Sequence, residues 1–108
     1  MSDLILVYIT CKSVKQAKEI GKHLMKMKLS ACVNIFPEMQ PMFFWPPQSG
    51  IIDENKEVVL IAKTIDSKYK QLEKEVQKVH SFDVPCIIGI PVKYVSQKYY
   101  DWLIGELE

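Results

Sequence analysis

Four β-forming runs and two amphipathic stretches alternate along this chain in an order that few folds accommodate. Leu4 to Thr10 is a nearly continuous apolar, β-branched run, the pattern of a strand buried on both faces. Ser13-Val14-Lys15-Gln16 reads as a capping box, with Ser13 at the N-cap and Gln16 reaching back. Ala17, Ile20, Leu24 and Met27 continue at helical spacing with lysines opposite, which predicts a helix over residues 14 to 29. Strand chemistry resumes from Ser30 to Phe36 and again at Met42-Phe43-Phe44-Trp45. Pro37 and Pro41 lie between, as suits an edge strand with a bend or bulge, because neither can donate a ladder hydrogen bond. After a turn at Pro46 to Gly50 the chain returns through Ile51, Ile52 and the β-forming run Glu57 to Thr64. Asp66 or Ser67 is the expected cap of a second helix, which carries Tyr69, Leu72, Val76 and Val79 on one face and closes at His80. Val84 to Val92 is a fourth strand with prolines near both ends, and Ser96 begins a short terminal helix.

The order is β-α-β-β-α-β plus a helix, the split-βαβ or ferredoxin-like arrangement of an α+β sandwich. With 108 residues and no repeat, linker or low-complexity tract, residues 1 to 108 are expected to form one domain. Lengths then constrain the assembly. A second strand from Ala31 to Trp45, at roughly 3.3 Å per residue, spans on the order of 50 Å. The first helix, at about 1.5 Å per residue, spans only about 25 Å. The hairpin around Phe43, Phe44 and Trp45 should overhang its helices, and an uncovered aromatic edge of this kind is an interface or an aggregation hazard. The alternative is a hairpin folded back by its prolines onto its own sheet.

Charge excludes several functions. The net charge is +1 and every basic side chain is lysine, so the bidentate guanidinium used on phosphates and guanine edges is missing. Neither nucleic acid nor an anionic membrane is an expected partner. The N-terminal apolar run is too short for a signal peptide or a span. Three cysteines, Cys11, Cys32 and Cys86, cannot all pair within one chain and read as reduced thiols, which points to the cytoplasm.

The topology gathers chemistry at one end. Cys11 ends the first strand where the first helix begins, His80 ends the second helix, and Cys86 begins the fourth strand beside the first. Asp83 lies in the same connection. A Cys/His/Cys set suits Cu(I), Zn(II) or another soft ion. Each residue also has a structural reading: Cys11 as strand-end filler, His80 as a cap complementing the helix dipole, Cys86 as buried filler. Cys32, between Ala31 and Val33, reads as core. A Cys11–His80 nucleophile and base pair oriented by Asp83 is the catalytic reading, but no phosphate loop, nucleophile elbow or HExxH motif accompanies it.

Several ordered motifs resemble the CutA family of divalent-ion tolerance proteins over nearly the whole chain. They include Val7-Tyr8-Ile9-Thr10-Cys11, Leu29-Ser30-Ala31-Cys32-Val33-Asn34-Ile35, Phe44-Trp45 and Ile61-Ala62-Lys63-Thr64. They continue through His80-Ser81-Phe82-Asp83-Val84-Pro85, Pro91-Val92 and Tyr100-Asp101-Trp102-Leu103. The resemblance implies a ferredoxin-like subunit in a tight homotrimer, whose long second and third strands join neighbouring sheets. It also implies a link to copper and other divalent cations, with no settled enzymatic activity, so the chain is not expected to be an enzyme. The family's metal positions fall on Cys11, His80 and Cys86. A glutamate is common where Cys86 stands, so the set is softer here and a copper(II) preference is weakened. Pro46 to Ser49 is longer than the family's usual turn, and Val95 stands where glycine is frequent. The expectation is a cytoplasmic homotrimer in metal tolerance, binding Cu or Zn weakly or conditionally, with no obligatory cofactor. The rivals are a signalling or scaffold trimer with a small ligand or partner protein at inter-subunit clefts, and a Cys–His enzyme.

Overall fold

A computed structural model describes residues 2–108. The elements run β1 (Leu4–Cys11), α1 (Val14–Lys26), β2 (Cys32–Met39), β3 (Met42–Phe44), β4 (Ile52–Glu54), β5 (Glu57–Ile65), a 3-10 turn at Asp66–Lys68, α2 (Tyr69–Val79), β6 (Ile87–Pro91) and α3 (Gln97–Leu107). The main sheet has the order β2-β5-β1-β6 with every neighbouring pair antiparallel. That is the ferredoxin-like topology expected from the alternation of runs.

Side chains alternate across the sheet, and the two faces have different fates. Val7, Ile9, Leu60 and Ala62 point into a core closed by Ala17, Ile20 and Leu24 of α1 and by Leu72 and Val76 of α2. α3 covers part of the opposite face, where Leu103 and Leu107 pack with Leu4 and Ala31. Beyond α3 this second face is only partly covered: Thr10 and Val59 are buried, while Phe36 and Ile88 on the two edge strands stand open. Register places Asn34, Ile61, Tyr8 and Ile88 in one row there, and Phe36, Val59 and Thr10 in the next. Phe36 and Ile88 are each 51% exposed, far more than such residues show when a layer covers them.

Helix α1 starts as its capping box requires. The Gln16 amide donates to Ser13 Oγ at 3.1 Å, and Gln16 Oε1 accepts from the Lys12 amide at 2.8 Å. The helix ends three residues earlier than expected. Lys28 adopts φ 59°, the Lys28 amide bonds Met25 O, and the Leu29 amide bonds Leu24 O. These are the paired bonds of a Schellman motif, with Leu29 packing back onto the helix. A lysine holds the left-handed position that glycine normally marks, so the stop was not legible. Helix α2 also begins differently: its N-cap is Lys68, without a side-chain bond, after the 3-10 turn. Neither Asp66 nor Ser67 caps it.

The long second strand is interrupted where the prolines fall. Register shifts between Phe36 and Met39, around Pro37, and the ladder stops before Met42, at Pro41. Beyond that point β3 and β4 form a separate two-stranded sheet. The molecule measures 46 × 26 × 24 Å. Strand β6 starts at Ile87 rather than Val84, because Pro85 has no amide to offer the ladder.

Candidate functional site

His80 connects β1 to the loop that leads into β6. Its Nε2 stands 2.7 Å from Thr10 O, and its Nδ1 lies 3.1 Å from the Phe82 amide. A carbonyl can only accept and an amide N–H can only donate. The ring is therefore the neutral tautomer protonated at Nε2, with both nitrogens engaged. Phe82 stacks obliquely on the ring, centroids 4.6 Å apart. The next connection comes from α1, where Gln16 Nε2 donates to Ser81 Oγ at 2.8 Å. One glutamine thus ties the helix start to the loop.

The loop and the β3–β4 hairpin enclose a cleft of about 700 Å³. Its floor is the open sheet face, with Tyr8, Thr10, Glu57 and Cys86. Phe43 and Trp45 rise from the hairpin, and Phe82, Asp83 and Val84 from the loop. Glu57 is only 8% exposed although it heads a strand. Burial pushes its carboxyl up, and a hydrogen bond from the Thr10 hydroxyl pulls it back down. Sequence reasoning passed over Glu57. The signal was its place in the period-two pattern, which puts it on the same face as Val59 and Ile61.

The same alternation separates the candidate metal ligands. Cys11, His80 and Cys86 do meet at one end of the sheet, and the Thr10 amide bonds Cys86 O at 3.4 Å. Cys11, however, points into the helix-side core, fully buried with Ile9 and Ala17. Cys86 borders the cleft on the other face, since Ile87 packs toward the helices and its neighbour must point away. Burial, and then the nearby Glu57 charge, push the Cys11 thiol up to about 11 and raise that of Cys86 as well. Thiolates are the metal-binding form, so both shifts oppose ligation. Among the described residues no group of three or more His, Cys, Asp or Glu is placed to hold an ion. As folded, the three residues do not make a ligand set. Cys32, half-buried, lies on the open face beside Lys63.

A ferredoxin-like domain with one sheet face partly open, and a hairpin standing over a thiol-bearing cleft, defines a narrow class of small proteins. Comparison with known families gives that class a name. Residues 5–106 match the family model "CutA1 divalent ion tolerance protein", and the chain belongs to that family. It is 38% identical over 102 residues to the "Divalent-cation tolerance protein CutA" of Archaeoglobus fulgidus, covering 94% of this chain and 96% of the relative. The "Protein CutA homolog" of Danio rerio is 34% identical over 98 residues, 91% of this chain but 63% of that longer protein. A solved structure described as the "Periplasmic divalent cation tolerance protein CutA" of Archaeoglobus fulgidus superposes with a TM-score of 0.91 at 35% identity, over 97% of this chain and 99% of that one. No helix among the described residues is long and apolar enough to cross a membrane.

Proposed function

We propose that this chain works as a homotrimer in divalent-cation tolerance, and that the ion, copper or zinc, is taken at the end of the sheet where Cys11, His80 and Cys86 converge. The observation that carries the assembly is the apolar surface left open on the second sheet face, where Phe36, Ile88 and Ile90 stand exposed. Contiguous apolar surface of this kind marks an interface. The hairpin turns Phe43 and Trp45 toward its own cleft but leaves Met42, Phe44 and Ile52 exposed, and is the element that reaches a neighbour. Cys86 is the donor that an incoming ion meets first. His80 contributes only after giving up two hydrogen bonds, and Cys11 only after a buried thiol ionises. Binding is accordingly weak or conditional. The protein acts without catalysis. Three unpaired thiols favour a reducing compartment, the cytoplasm.

Calorimetric titration of the reduced protein with Cu(I), Cu(II) and Zn(II) tests the ion site. Cys86→Ser should weaken soft-ion binding by about tenfold or more, His80→Ala less, and Cys11→Ser least. Unchanged affinity in all three variants would refute the site. A second reading has its own support. The cleft has the volume and the mainly apolar walls of a small-molecule pocket, so a signalling trimer that binds a ligand there remains the alternative. A ligand bound only by the native state raises the melting temperature, which makes a metabolite screen by thermal shift its test.

A further inference from the structure

We infer that the cleft beneath the hairpin selects organic cations, aromatic or alkyl amines of small-molecule size. The inference rests on the second reading above, that the cleft stays open to a small ligand. Three side chains lining it are carboxylates: Asp53, Glu57 and Asp83. The chain has 14 lysines and none of them lines this cleft, nor does either histidine. Glu57 is the telling residue. It is more than nine-tenths buried and borders the cavity, yet no cation among the described residues forms an ion pair with it. A buried carboxylate without a countercharge is costly, and a bound cation relieves that cost.

The walls decide which kind of cation. Tyr8, Phe43, Trp45 and Phe82 present aromatic surface around the carboxylates. A hydrated metal ion gains little from such walls. An ammonium group on an apolar frame gains twice, from the ring faces and from burial of the frame. The cavity of about 700 Å³ is also far larger than an inorganic ion needs.

The test uses one frame with three charges: phenylethylammonium, phenylethanol and phenylacetate. Each is titrated into the full-length protein near neutral pH with EDTA present, followed by amide NMR shifts at Glu57, Phe82, Asp83 and Cys86. The expected result is that the ammonium binds at least tenfold tighter than the alcohol and that the carboxylate does not bind. Glu57→Gln, which keeps size and hydrogen-bonding shape, should cut the preference for the ammonium at least fivefold while leaving phenylethanol binding unchanged. Equal binding of all three compounds would overturn the charge selection and leave the ligand-binding reading standing. Saturating concentrations that shift none of the four amides would overturn both.

Discussion

His80 ties two backbone segments together through single atoms, Thr10 O and the Phe82 amide. Its ring accepts from one backbone group and donates to another, so truncation leaves Thr10 O and the Phe82 amide without partners. His80→Ala should lower stability by about 1–3 kcal/mol, measured by urea denaturation. A change below about 0.5 kcal/mol would mean that the two bonds are not made in solution. Cys11 carries a pH signature. Its thiol stays protonated in the fold up to about 11, against an ordinary value of 9.0. Between these values the unfolded chain holds fewer protons than the native one, so stability is intact below pH 9 and falls as pH rises toward 11. The loss is on the order of 2 kcal/mol. Denaturation at pH 8 and at pH 10.5 should show a clearly smaller drop for Cys11→Ala than for the parent chain. An identical drop would show that the buried thiol does not ionise on unfolding.

Among the elements, the ends of α1 show what could and could not be read in advance. The start was legible because Ser13 and Gln16 are the residues a capping box demands, and both bonds form. The end was hidden because Lys28, a poor signal, occupies the left-handed position at φ 59°. Lys28→Gly should therefore stabilise the protein by about 1 kcal/mol, seen as a higher melting temperature, since glycine carries no penalty there. A lower melting temperature would show that the bond from Lys28 Nζ to Glu106 O matters more than the backbone strain. Strand order was legible for a similar reason. Period-two and period-3.6 patterns dictate which element follows which, and prolines 37 and 41 announced the broken ladder. The site was only half legible. Topology brought Cys11, His80 and Cys86 to one end, but which sheet face each side chain takes depends on register, and register is fixed by pairings far apart in sequence. Glu57 was missed on the same account.

For the whole molecule, the half-open sheet face, with Phe36, Ile88 and Ile90 exposed, is the dominant fact. Light scattering at micromolar concentration should report three times the 12.5 kDa chain mass. Ile88→Glu, which puts a charge in the middle of that face on a half-exposed residue, should dissociate the assembly while leaving the subunit's circular dichroism intact. A variant that keeps the parent mass would place the interface elsewhere. The alternation across β1 and β6 has one more outcome, and it concerns handling in air. Cys11 ends β1 and Cys86 lies just before β6, but one faces the helix-side core and the other the cleft, so no disulfide can join them. With Cys11 sealed in the core, oxidation can act only through Cys32 and Cys86. Ageing without a reductant should then staple chain to chain, visible as multiples of 12.5 kDa on a non-reducing gel, while the 11–86 loop stays open.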